Sequence, residues 1–168
     1  YAVSKKTNEL YASVFTKSYN LPIIGLRYFN VFGPKQNPNG QYAAVIPIFI
    51  SSLLKNNQPS IFGDGSTSRD FTFIDNVVYA NVLAMTSDIN SGIYNVAYGA
   101  STSLNVLYNT IKHKLNSHIE PLYKAERKGD IKNSLANISR IKKDLKYSPL
   151  ISIDEGLEKT INWYKTNT

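Results

Sequence analysis

Cysteine is absent from the 168 residues, which excludes disulfide bridges and thiolate-bound zinc and makes a reducing compartment compatible with the composition. Long apolar runs are absent too. The longest, Ala43 to Ile50, falls far short of the roughly 20 residues that a helix needs to cross a bilayer. No stretch reads as a signal peptide, and there is no internal repeat or low-complexity tract. Acidic charge is scarce relative to basic charge, leaving a formal net charge of +7. Such an excess permits a nucleic-acid partner, yet the lysines are scattered as Lys5-Lys6, Lys112/Lys114, Lys124/Lys128/Lys132 and Lys142-Lys143. They form no dense run or recognised nucleic-acid motif. The excess suits a solvated basic surface and the attraction of an anionic small molecule. With 42% hydrophobic and 18% charged residues, the chain reads as folded rather than disordered. Its length suffices for one domain, or for one plus part of another.

Helical and strand patterns alternate along the chain. Tyr1 to about Tyr19 is helical, with an apolar stripe of Val3, Leu10, Val14 and Phe15. "LPIIGL" (Leu21–Leu26) has the length and character of a strand buried on both faces. Asn30 to Gln41, rich in Gly, Pro and Asn, is longer than a plain connector needs to be, and such loops often carry function. A hydrophobic helix is expected over Val45–Leu54, a strand at "SIF" (Ser60–Phe62), a turn at "GDGS" and an extended run at "RDFTFI" (Arg69–Ile74). Asp75 is placed to N-cap a helix reaching Met85, and "IYNVA" (Ile93–Ala97) reads as a further strand. Ser103 starts a helix whose Leu104, Leu107, Ile111 and Leu115 share a face. Ser152 and Glu155 fit a capping box for a last helix that buries Leu157, Ile161 and Tyr164. The fold class is therefore α/β, with the first helix and strand belonging to a parallel sheet.

The chain opens "YAVSK". Residues four apart share a helix face, so the Lys5 ammonium can lie near the Tyr1 hydroxyl. A phenol titrates near ~10 unperturbed, and a neighbouring positive charge favours the phenolate, which makes a better base. On its own the spacing is weak. With 12 tyrosines in the chain, about one such Tyr–Lys pair arises by chance. A second, Tyr108 to Lys112, is expected to be a surface feature of an amphipathic helix.

Context makes the first pair specific. "YAVSKKTNELYA", "GLRYFNVFGPKQ", "GDGSTSRDFTFIDN" and "RKGDIKNSLANISR" follow in that order and together span nearly the whole chain. In this the sequence resembles the later half of the NAD-dependent epimerase/dehydratase family, the extended short-chain dehydrogenases that act on sugar nucleotides. "RYFNVFGPKQNPNGQYAAVIP" looks most like the UDP-N-acetylglucosamine 4-epimerases of surface-polysaccharide synthesis. Dehydratases and decarboxylases of the family share the tyrosine and lysine, and a non-catalytic sugar-nucleotide-binding module is a third reading.

The resemblance implies an NAD cofactor, a UDP-sugar substrate, a cytoplasmic homodimer, and no metal, membrane or nucleic-acid partner. It implies that Tyr1 is the catalytic base and that Lys5 binds the nicotinamide ribose, with Tyr28 beside the nicotinamide. Substrate contacts would come from Asn30, from Gln36 and Ser134 around the sugar, and from Val45 at the uracil edge. Arg69 and Arg127 would hold the diphosphate, for which guanidinium forks are suited, and Asp130 would hold the uridine ribose. Residues 1–32, with a sheet contribution from 93–97, would be the end of the Rossmann-type NAD-binding domain, and 33–168 mainly the substrate-binding domain. Several features depart from the family pattern, among them Ser60 and Phe62, which flank the implied uracil pocket without matching it. Asn137 stands where aspartate is common, Lys132 stands where arginine is common, and no Gly-x-x-Gly-x-x-Gly turn is present. The expectation is a chain that begins at its catalytic helix and, alone, neither holds NAD firmly nor turns over.

Overall fold

The computed structural model describes residues 1–39 and 44–167, so the end of the long loop at Gly40 and Gln41 lies outside the described residues. The elements alternate from the first residues onward. Helix α1 (Ala2–Tyr19) is followed by β1 (Ile23–Tyr28), β2 (Val31–Phe32), α2 (Val45–Leu54), β3 (Ser60–Phe62), β4 (Ser68–Arg69) and β5 (Thr72–Phe73). Then come α3 (Ile74–Met85), β6 (Ser91–Val96), β7 (Thr102–Ser103), α4 (Leu104–Lys114), β8 (Leu122–Lys124), α5 (Ser139–Leu145) and α6 (Ile153–Asn167).

The strands pair two by two. β1 runs parallel to β6, from Ile23 opposite Ser91 to Tyr28 opposite Val96. β2–β5 and β3–β8 are also parallel, whereas β4–β7 is antiparallel. Parallel pairing requires long crossovers, and residues 29–90 lie between β1 and its partner. The α/β class with a parallel sheet holds.

Two apolar cores result. One gathers Phe32, Phe49, Ile61, Tyr108, Ile111 and Tyr164 under α2, α4 and α6. The other gathers Val77, Tyr94, Val96, Ile141 and Tyr147 against the β1–β6 pair. Ile74 packs against both, and the chain passes from one to the other between Val31 and Phe32.

Several expectations change. β1 begins two residues later than "LPIIGL" suggests, and its residues are half-buried or exposed rather than buried on both faces. The cause lies in its neighbours: β6 covers one edge, while α1 contributes no buried residue to cover a face. The α1 stripe is accordingly exposed, Leu10 at 57% and Val14 at 53%. "RDFTFI" splits into β4 and β5, because Asp70 between them turns fully inward. α3 begins at Ile74, with Phe73 as its cap and no side-chain capping bond, so Asp75 sits inside the first turn. Its charge there favours the positive end of the helix dipole. Tyr108 is core, not surface: it is 1% exposed, stacks edge-on against Phe49 at 5.2 Å, and donates its hydroxyl to the Ile119 carbonyl. Lys112 from the same spacing stays outside and pairs with Glu120. Val106 N–H donates to Ser103 Oγ as expected, and Glu155 N–H to Ser152 Oγ forms the serine half of the expected capping box, while the Glu155 carboxylate pairs with Lys159 at 3.1 Å.

Candidate functional site

The β1–β2 link, the start of α2, β3 and β4 surround a cavity of about 290 Å³. Its floor is apolar, built by Phe32, Phe49, Ile61 and Phe71, and its charged wall is built by Arg69, Arg127 and Asp130. Asn30 and Val45 also line it. Five residues selected from the sequence, spread over a hundred positions, thus meet at one pocket.

Each is held differently. Asn30 takes a positive φ of 34°, tolerated by asparagine. It donates its amide to the Asp70 carbonyl at 2.9 Å and accepts Thr72 N–H on its own carbonyl. Val45 is the first residue of α2. Arg69, on β4, donates to the Ser68 carbonyl at 2.9 Å and to Asp130 Oδ1 at 3.1 Å. Arg127 lies with its guanidinium carbon 3.7 Å from the centre of the Phe62 ring, a cation–π stack, and forms no ion pair among the described residues. Two guanidinium groups against one carboxylate leave the wall positive. The chemistry suits a ligand with an apolar or planar part and a multiply charged anionic part.

A second, open cleft of about 730 Å³ runs between α1 and β1, and it is lined by Tyr1, Lys5 and Tyr28. Tyr1 is 94% exposed, and Lys5 Nζ lies 5.2 Å from the centre of its ring. Tyr28 donates its hydroxyl to Asn81 Oδ1 at 3.0 Å. Glu9 and Arg27 also line this cleft and clamp α1 to β1 through two bonds of 2.6 and 2.8 Å. The Arg27 guanidinium holds the Glu9 carboxyl well below the usual range, at about 2, against a smaller opposing effect of desolvation. Tyr28 faces this cleft and Asn30 the first one, two residues apart and so within about 7 Å along the chain. The two cavities therefore adjoin at the C-terminal end of β1, where doubly wound sheets bind ligands.

Gln36 and Ser134 line neither cavity. Gln36 donates to the Val31 carbonyl and receives the Tyr164 hydroxyl on its main-chain oxygen, while its buried Oε1 has no partner among the described residues. Ser134 donates its N–H to the Ser68 carbonyl at 3.1 Å. Neither the Phe62–Arg127 stack nor the Arg69–Asp130 ion pair was legible beforehand, since each joins segments about sixty residues apart. Among the described residues no cluster of His, Asp and Glu could hold a metal.

The sequence pattern of the NAD dependent epimerase/dehydratase family matches residues 1–97. The chain belongs to that family. The UDP-glucose 4-epimerase of Mycolicibacterium smegmatis is 33% identical over 168 residues, covering 100% of this chain and 53% of that protein. The structure of the UDP-N-acetylglucosamine 4-epimerase of Methanobrevibacter ruminantium in complex with UDP-N-acetylmuramic acid superposes with a TM-score of 0.95 at 44% identity, over 100% of this chain and 54% of that one. That of the UDP-glucuronic acid 4-epimerase of Bacillus cereus with UDP-glucuronic acid and NAD superposes with a TM-score of 0.88 at 28% identity, over 99% of this chain and 52% of that one. The chain spans about half the length of these relatives. Epimerases of this family bind UDP-sugars and NAD, and the fold here is that of the matching part of their Rossmann-type structure.

Proposed function

We propose that this chain is the sugar-nucleotide-holding part of a UDP-sugar 4-epimerase whose substrate is a UDP-N-acetylhexosamine used for surface-polysaccharide precursors. The observation that carries the reading is the meeting of Arg69, Arg127, Asp130, Asn30 and Val45 around one apolar-floored pocket. In this reading Arg69 and Arg127 grip the diphosphate, whose ionised oxygens match guanidinium N–H groups two at a time. Asp130 accepts from the uridine ribose hydroxyls, Val45 meets the uracil edge with its backbone, and Asn30 bonds the phosphate or sugar region. Gln36 and Ser134 border the sugar once it extends beyond the pocket, and a small side chain at 134 leaves room for an acetamido group.

Tyr1 acts as the base that takes the proton from the sugar 4-hydroxyl. It stands exposed on the adjoining cleft with the Lys5 ammonium over its ring. NAD, when bound, supplies reversible hydride acceptance at the sugar carbon. The fit to its nicotinamide end is reasonable, because Lys5, Tyr1 and Tyr28 offer an ammonium and two phenols on one open wall. For its pyrophosphate this chain has no Gly-x-x-Gly-x-x-Gly turn. The assignment of residues 1–32 and 93–97 to the cofactor side, and of 33–168 to the substrate side, follows from the same reading. So does a cytoplasmic homodimer formed through α1, whose apolar side chains are exposed.

Calorimetric titration of residues 1–168 tests it. The expected result is saturable binding of UDP and of UDP-N-acetylglucosamine with no epimerisation on adding NAD. Absence of UDP binding overturns the pocket assignment, and turnover by this chain alone overturns the division of labour.

A further inference from the structure

Asp70 is fully buried, at 0% exposure, and has no cationic partner among the described residues. Burying a carboxylate without a counter-charge is costly, so stability alone gives no reason for it. Its two oxygens are instead filled by main-chain amides. Oδ1 accepts Tyr98 N–H at 3.1 Å and Gly99 N–H at 3.2 Å, and Oδ2 accepts Gly99 N–H at 3.1 Å and Ala136 N–H at 3.3 Å. Burial pushes this carboxyl above its ordinary range, and the three amides oppose that push without cancelling it. Both oxygens act as acceptors, the arrangement suited to a carboxylate rather than a carboxylic acid.

The partners belong to three segments that serve the pocket. Asp70 follows Arg69, and its own carbonyl receives the Asn30 side chain. Ala136 ends the return segment that carries Arg127 and Asp130. That segment is zipped to β4 by Ser68 N–H to the Lys132 carbonyl at 2.9 Å and by Ser134 N–H to the Ser68 carbonyl at 3.1 Å. The turn at Tyr98–Gly99 is the third. Gly99 takes a φ of 85°, and a Cβ there would meet Ile138 at 2.6 Å, so the turn is pressed against the chain two residues beyond the return segment, where α5 begins. We infer that Asp70 is a positioning residue, whose carboxylate draws the 98–99 turn and the 127–136 segment onto β4 and so sets Arg69, Arg127, Asp130 and Asn30 at the spacing the ligand requires. The inference rests on the pocket being the UDP-sugar site.

Asp70→Asn is a discriminating change. The amide oxygen still receives Tyr98 and Gly99, but an NH2 now faces the Ala136 N–H, donor against donor, and the return segment is released. The expected result is UDP-N-acetylglucosamine affinity at least tenfold weaker, with the circular dichroism of the wild-type chain. In an Asp130→Ala background the same change is expected to weaken affinity by a clearly smaller factor, because one of the groups it positions is gone. A merely structural Asp70 would weaken both backgrounds by the same factor, and that outcome, or wild-type affinity in Asp70→Asn, overturns the inference. Failure of the wild-type chain to bind at all is a different result and removes the site reading beneath it. Should Asp70→Asn not fold, amide NMR of the wild type decides. Saturation with UDP-N-acetylglucosamine is expected to shift Gly99 and Ala136, neither of which lines the pocket, and unshifted resonances overturn the proposal.

Discussion

Arg69 and Arg127 reach one pocket by different means, and this sets different expectations for their replacement. Arg127 lies flat on Phe62, so both its charge and its plane matter. Arg127→Ala is expected to weaken UDP binding about 10- to 100-fold, in line with about 1.5–3 kcal/mol for a charge-assisted bond. Arg127→Lys is expected to recover little of this, since an ammonium neither stacks nor forks. Titration calorimetry on both variants checks it, and full recovery by lysine would show that charge alone is used. Away from the pocket, Tyr147 is buried and donates its hydroxyl to the Ala97 carbonyl at 3.1 Å, and burial pushes its phenol well above the usual range. Tyr147→Phe leaves that carbonyl unpaired and is expected to cost about 1–3 kcal/mol in urea denaturation. An unchanged midpoint would mean that water replaces the bond.

The "GDGS" turn shows how an element is fixed from outside. Gly65 has a φ of 75°, and a Cβ there would lie 1.9 Å from Asn105 Oδ1. Asn105, on α4, donates its side chain to the Asp64 carbonyl and its N–H to the Gly65 carbonyl. Gly65→Ala therefore adds strain and collision together, and is expected to destabilise by more than about 1 kcal/mol, read as a lowered thermal midpoint. The turn was legible from "GDGS" itself, but the asparagine that grips it was not. The same division runs through the other elements. α2, β3 and the apolar faces of α4 and α6 were legible because dense local patterns carry them. β8, three exposed residues, and α5, seven residues, were not, because neither is long enough to show a period. Asp70 likewise broke a six-residue extended pattern from within, which only its distant amide partners explain.

At the scale of the whole molecule, the pocket was legible as a set of residues but not as a geometry. Arg69, Arg127 and Asp130 were found from their motifs, whereas the ion pair that joins two of them and the stack under the third arise from tertiary approach. Long-range contacts also set the acid response. Glu9 has its carboxyl lowered to about 2 by Arg27, below the ordinary value of 4.5. The stabilisation is therefore complete above the ordinary value and is lost as pH falls towards about 2. Glu9→Gln is expected to melt earlier than wild type at pH 6, with the gap closing near pH 2; a constant gap would show that the pair does not titrate. That pair bears on α1 in another way. A helix of 18 residues that buries none of its side chains is held by one clamp and a few contacts. Elements with few buried contacts open at a fraction of the global free energy. Native-state hydrogen exchange should therefore resolve this chain into two cooperative units, with α1 opening first and the two cores holding behind it. A protease would then trim Tyr1 and Lys5 from the chain while the cavity walled by Arg69 and Arg127 stayed folded.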